Sequence, residues 1–314
     1  MGAAFILTPI EMKQIKKILF LLLSLCLVGE MWAQTRADKI RDNMLNNPKY
    51  VTVVAHRGDW RGAPENSLQA FQNCIDMGVD MVELDLKRTS DGVLVIMHDR
   101  TLDRCSNGKG AVSDHTYAEL QKLYLKPQHG ASLTRHKIPT LEEALNLCKD
   151  KILINIDQGY NYFQEAFEIM QRTGTTDQVI IKSGNAPEKV LRENADVVKN
   201  TIYMPIVNMN DANAEELVKE NIKLHPVAIE CCIKTYNSNV ESMLKQIRDA
   251  GIQVWINSIW PSLCDSHDDD RAVEMGEADQ AWGWILERGA TLIQTDRPAD
   301  LIQYLKKHKR HKLK

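Results

Sequence analysis

The chain has 314 residues, 44% hydrophobic and 26% charged, a globular composition long enough for one large α/β domain or two average ones. A formal charge of -3 and a pI near 6.3 exclude a broad basic face for nucleic acid or for an anionic membrane surface. Basic residues gather only in KKHKRHKLK (306–314), a run that reads as a solvated, frayed tail.

The N-terminus reads as a targeting segment. Lys13, Lys16 and Lys17 precede an apolar stretch from Ile18 to Val28, broken only by Ser24 and Cys26, and Met31-Trp32-Ala33 follows as a cleavage site. That is the order of a secretory signal peptide, and the stretch is too short for a membrane-spanning helix. Residues 1–33 are therefore expected to be removed, with Met12 as an alternative start. The mature chain, without a transmembrane segment, is expected in a periplasm or outside the cell. A rival reading makes Cys26 the anchored residue of a lipoprotein, against which Leu25 is larger than such sites prefer. Residues 34–49 form a lead-in. The remaining cysteines (74, 105, 148, 231, 232, 264) show no CxxC spacing and read as scattered small hydrophobes, although export permits a disulfide.

From residue 51 onward, short aliphatic runs alternate with helical patterns. Strands are expected at 51–54, 79–86, 93–97, 151–156, 178–182, 201–207, 226–230, 252–257 and 290–295, and several intervening helical runs end in glycine. Such alternation means a parallel sheet. The second and third runs are separated only by KRTSDG, too short for a parallel crossover, so they form a hairpin turning at Asp91-Gly92. Eight parallel strands remain, which makes a (β/α)8 TIM barrel over residues 50–305. The alternative, an open doubly wound sheet, lacks a Gly-rich phosphate loop. Residues 99–138 read as an excursion from the mouth. DSHDDD (265–270) reads as a solvated loop after a strand.

Glu83 and Asp85 have period-two spacing and point to one side of their strand, and the hairpin folds His98 back opposite them. Clustered oxygen ligands suit one hard divalent cation, Mg2+ or Ca2+, better than zinc. His56 and Arg57 end the first strand on the same catalytic face. Arg57 offers a donor fork for a phosphate or carboxylate, and two histidines allow one acid and one base.

These residues carry a resemblance. AHRGDWRGAPENSLQAF, then GVDMVELDLKRTSDGVLVIMHDRTLDRCSNGKG, then IPTLEEAL, VWIN and QTDRP, resemble in order and spacing the signature of the glycerophosphodiester phosphodiesterase family over residues 50 to 305. The resemblance implies a cation-dependent (β/α)8 barrel that hydrolyses small glycerophosphodiesters to glycerol 3-phosphate and an alcohol. It implies His56 and His98 as the acid/base pair, Arg57 on the phosphate, and Glu65, Glu83 and Asp85 at the metal. Asp157, in ILINIDQGY, stands where the family carries a glutamate, and Gly159 where it carries a lysine. Lys182 is a candidate to replace that lysine, and Trp255 and Trp260 are candidates to pack against the glycerol or alcohol. Two rival functions remain: a phospholipase D-like lyase acting on lipid, and a barrel that binds a phosphodiester without turnover.

Overall fold

A computed structural model describes residues 34–127 and 134–313, so the expected signal segment and the alternative anchoring site at Cys26 lie outside the described residues. The strands are β1 (Thr52–Ala55), β2 (Met81–Arg88), β3 (Leu94–Ile96), β4 (Leu153–Asp157), β5 (Val179–Ser183), β6 (Ile202–Asn208), β7 (Ala228–Cys232), β8 (Gln253–Asn257) and β9 (Ala290–Thr295). Their order is β1-β2-β4-β5-β6-β7-β8-β9, with β9 pairing β1 again, so eight parallel strands close into a barrel. Helices Leu68–Met77, Leu141–Cys148, Phe163–Thr173, Pro187–Lys199, Ala214–Ile222, Ser238–Asp249 and Pro298–Lys307 bury apolar faces around it. The fold is a (β/α)8 barrel, as the strand count required.

β3 hangs antiparallel on the upper half of β2, with Leu86 opposite Ile96 and Lys87 opposite Val95. The turn closes on itself through Thr89 N–H to the Val93 carbonyl at 3.0 Å, with Gly92 at φ +86°, a backbone position open to glycine. Beyond the turn, residues 102–125 bury Leu102, Cys105, Val112, Leu120 and Leu125 with Val95 and Met97, giving the excursion a small core of its own.

Two terminal segments differ from expectation. The lead-in contains a helix, Arg36–Asn46, started by a reciprocal cap between Thr35 and Asp38. Its Ile40 and Met44 join Met81, Leu153, Ile180, Met204, Trp255 and Leu292 in one buried cluster at the strands' N-terminal ends. The helix therefore plugs the bottom of the barrel. The basic tail is not frayed: Val51 N–H donates to the Arg310 carbonyl at 2.7 Å, and His311, 7% exposed, stacks on Tyr50 with centroids 5.1 Å apart. Charge predicted solvation, but the adjacent Arg310 and His311 are tied to residues 49–51, with His311 Nδ1 3.1 Å from the Val51 carbonyl. The six cysteines of the described residues are free thiols, five of them buried.

Ile40 is fully buried in the plug, so Ile40→Ala is expected to cost about 2–5 kcal/mol in urea unfolding, the usual range for such a truncation. Divalent-cation affinity at the opposite end of the barrel should not change.

Candidate active site

The C-terminal end of β1 makes an abrupt bend. His56 still joins the ladder, its N–H donating to the Thr295 carbonyl at 3.1 Å, but Arg57 adopts φ +55°, unusual for a residue with a side chain. Gly58 follows at φ +77°, where a Cβ would lie 2.9 Å from Ala70 and Phe71 of the next helix. The bend turns the Arg57 N–H back into the barrel, where it donates to Glu83 Oε2 at 2.9 Å. The strained pair thus lets a strand end face its neighbour's carboxylate.

Glu83 and Asp85 project inward from β2, and the register pairs Asp85 with Asp157 on β4. Their carboxylate oxygens lie within 4.8 Å of one another, and Glu83 and Asp85 are each 1% exposed. Neutral donors support Asp85: Asn66 Nδ2 at 2.9 Å and Gln158 Nε2 at 2.8 Å. Burial, then the charge of Asp85, pushes the Glu83 carboxyl well above its ordinary range. Burial also acts to raise Asp157, but the Lys182 ammonium at 3.2 Å and the Gln158 N–H hold it below the usual range. Buried like charges are costly unless compensated, and this oxygen-only donor set fits a hard divalent cation.

The structure corrects three expected contacts. Glu65 is not in this cluster: its oxygens accept from Arg57 at 3.1 Å, from Arg104 at 2.7 and 2.8 Å, and from the Cys105 thiol. Lys182 lies beneath the cluster, its side chain 1% exposed and its ammonium paired with Asp157 and, at 3.0 Å, with Glu230. Trp255 is fully buried, and its Nε1 donates to Asn257, which in turn donates to Glu230. Both were expected at the mouth, yet Lys182 is the fourth residue of β5 and Trp255 the third of β8, and their inward direction sends them down into the barrel. Trp260 does reach the mouth, 47% exposed and edge-on to His56 with centroids 5.5 Å apart.

Comparison with known proteins then settles the family. The sequence model described as the glycerophosphoryl diester phosphodiesterase family matches residues 56–299. The chain belongs to that family. A glycerophosphodiester phosphodiesterase of Caldanaerobacter subterraneus is 44% identical over 106 residues, which are 33% of this chain and 44% of that enzyme, so the match spans less than half the relative's length. A glycerophosphoryl diester phosphodiesterase structure from Parabacteroides distasonis covers 87% of this chain and 92% of its own at a TM-score of 0.72 and 24% identity. An Oleispira antarctica phosphodiesterase solved with its product sn-glycerol-3-phosphate covers 82% and 96% at a TM-score of 0.62 and 20% identity.

In this family member, each candidate histidine has a carboxylate behind it. His98 Nδ1 lies 2.7 Å from Asp99, and the Met97 N–H to Asp85 carbonyl bond, 3.0 Å, carries the hairpin one residue past β3, up to His98. Asp99 is gripped by Arg104, which holds its carboxyl well below the usual range. His56 Nδ1 lies 2.8 Å from Asp296, which also accepts from Trp60 Nε1 at 2.6 Å. A cleft of about 140 Å3 opens between His56, Arg57, Trp60, Trp260 and Asp296. A larger one, about 340 Å3 beside Asn210 and Asp211, contains none of these groups.

Sequence reasoning missed Asp99, Arg104, Asp269 and Asp296. Asp99 and Asp296 stood inside the motifs HD and QTDRP without an assigned role. Asp269 carried no signal, because DSHDDD looks solvated. It is instead 2% exposed, with Oδ1 accepting from Ser258 Oγ and Trp282 Nε1 at 2.6 and 2.9 Å. Oδ2 accepts from Thr295 Oγ1 and the Asp296 N–H at 2.8 and 2.6 Å. Burial pushes its carboxyl up to about 7, against the pull of those four donors.

Two outcomes are expected from the carboxylate cluster. In EDTA, the folded chain keeps a proton on Glu83 that the unfolded chain has released, so stability should fall as pH rises from the ordinary glutamate range through the raised value. Added Mg2+ or Ca2+ should oppose that fall, as urea unfolding at several pH values will register. Glu83→Gln should raise the EDTA melting midpoint by about 2–4 °C, the shift expected for ~1 kcal/mol of relieved repulsion, and lose the stabilisation that the cation gives the native chain.

Proposed function

We propose that the protein hydrolyses small glycerophosphodiesters to sn-glycerol 3-phosphate and an alcohol, with Mg2+ or Ca2+ held by Glu83, Asp85 and Asp157. The observations that carry this reading are two carboxylate-backed histidines, His56 with Asp296 and His98 with Asp99, in a barrel that also holds a buried carboxylate cluster. The related enzyme from Caldanaerobacter and the product complex of the Oleispira protein support the substrate class.

A bound divalent cation would supply Lewis-acid neutralisation of the phosphodiester charge, which otherwise repels a nucleophile. The chain's own residues do the rest. A carboxylate can only accept, so Asp296 and Asp99 each fix a proton on Nδ1 and leave Nε2 to face the substrate. One Nε2 takes the proton of the attacking oxygen, from water or from the substrate's 2-hydroxyl. As the new P–O bond forms and the bond to the leaving alcohol breaks, the other Nε2 delivers a proton to the departing oxygen. Among the described residues, Arg57 Nε is buried with no hydrogen-bond partner, 3.6 Å from Asp85, and supports a role for this guanidinium on a phosphate oxygen. Lys182 then acts from below, holding Asp157 rather than touching the phosphate. We further propose residues 50–305 as one barrel with residues 99–138 as its insertion, and export directed by residues 1–33, with the mature chain periplasmic or extracellular.

The test is release of glycerol phosphate and alcohol from glycerophosphocholine, -ethanolamine, -glycerol and -inositol by the mature protein, with Mg2+, Ca2+ or EDTA. Cleavage dependent on one of the cations is expected. His56→Ala and His98→Ala should each lower kcat/KM by about 10²–10⁴-fold. Failure of every diester with both cations overturns the reading, and a cyclic phosphate formed only from intact lipid turns it toward a lyase. Asp296→Asn is expected to lower kcat by about 10–100-fold with KM little changed, because it disturbs the tautomer and orientation of His56 rather than substrate binding.

A further inference from the structure

The inward series on β2 does not end at Asp85. Residues 83, 85 and 87 alternate onto one side of the strand, and Lys87 stands one inward step beyond the Asp85–Asp157 pair. There β2 pairs only with β3 on its outer side, Lys87 opposite Val95, so the lysine rises at the rim directly over the carboxylates.

Its partners are unlike those of the other cations at the site. Arg57 reaches Glu65 at 3.1 Å, Arg104 reaches Glu65 at 2.7 Å and Asp99 at 2.8 Å, and Lys182 reaches Asp157 and Glu230 at 3.2 and 3.0 Å. The Lys87 ammonium donates to two neutral oxygens, the Gln158 side-chain carbonyl and the Leu86 backbone carbonyl at 3.2 Å, and forms no ion pair within 4 Å among the described residues. Asp85, Asp157 and Asp99 are the negative charges it faces, and Arg57 the positive one. Gln158, at φ +52°, bridges it to the cluster, since the same amide donates to Asp85 Oδ1 at 2.8 Å.

The charge balance shows what such a cation is for. Glu83, Asp85 and Asp157 with one divalent cation carry a net negative charge, and Lys182 and Glu230 beneath them cancel. A phosphodiester anion, and still more a phosphomonoester product, meets a negative floor unless cations face it from above. Arg57 is one, already shared with Glu65.

We infer that Lys87 is a substrate-binding residue whose ammonium leaves the Gln158 carbonyl to contact a non-bridging oxygen of the phosphate, opposite Arg57. This inference rests on the phosphodiesterase reading. The competing role is purely structural: Lys87 would only hold Gln158 so that Gln158 can orient Asp85. The two differ in what they do to the cation, because a structural loss disturbs Asp85, whereas loss of a phosphate contact leaves the carboxylates intact.

The mature protein, Lys87→Met and Lys87→Arg should be compared by calorimetry, first for Ca2+ affinity and then for sn-glycerol 3-phosphate affinity at saturating Ca2+. Lys87→Met is expected to weaken product binding by about 10–100-fold, the worth of one charge-assisted hydrogen bond. It should leave Ca2+ affinity unchanged or slightly tighter, and Lys87→Arg should recover part of the loss. Unchanged product affinity in Lys87→Met overturns the inference, as does a loss of Ca2+ affinity in step with that of product. If the native protein binds sn-glycerol 3-phosphate but cleaves no diester, the proposed function falls while product binding still decides Lys87. If it binds no phosphate ester, both fall.

Discussion

Everything at the mouth of this barrel is arranged around three carboxylates that burial and mutual repulsion make expensive. Glu83 and Asp85 are 1% exposed and share their space with Asp157. An ion cluster of one sign survives in a protein interior only when hydrogen bonds and opposite charges offset the lost hydration. Here the Arg57 N–H bonds Glu83, Asn66 and Gln158 bond Asp85, and Lys182 pairs with Asp157. Those supports use most of the unusual backbone nearby: Arg57, Asn66 and Gln158 all have positive φ. Strain in the turns is the local cost of aiming donors inward.

Below the carboxylates, the barrel interior is polar rather than apolar. Lys182, Glu230, Asn257 and Trp255 form one connected chain of bonds, and the Trp255 ring is also part of the apolar layer that the Arg36–Asn46 helix closes. This layering explains why Lys182 is a support and not a substrate contact. Its ammonium, buried between two carboxylates, has its charge raised in stability by them despite desolvation, and has no path to the mouth.

The histidines are positioned from the loops instead. His98 depends on Asp99, which Arg104 of the excursion clamps together with Glu65. His56 depends on Asp296, whose backbone is pinned by Asp269 from a loop more than twenty residues earlier. The four donors around Asp269 leave a carboxylate oxygen no unsatisfied position, so the loop is fastened to the end of β9 rather than swinging in solvent. Rigid strands thus hold the negative charge, and two fastened loops hold the groups that move protons.

The sequence by itself determined the barrel, the hairpin and the principal charges. Strand and helix periods are local, and the KRTSDG spacing admits only a hairpin, so the antiparallel β3 and the return of His98 could be read without coordinates. Period-two spacing likewise placed Glu83 and Asp85 on one face. Tertiary structure alone decided which charges meet. Glu65 and Arg104 are 39 residues apart, Lys182 and Glu230 are 48, and Asp269 and Asp296 are 27, and no local pattern links them. It also decided depth: Lys182 near the end of β5 and Trp255 in the middle of β8 both project into the closed barrel below the mouth. The acidic run 265–270 and the basic tail were misread for the same reason. Charge in a sequence predicts hydration only until folding brings a partner, and the partners of Asp269 and His311 lie on distant strands.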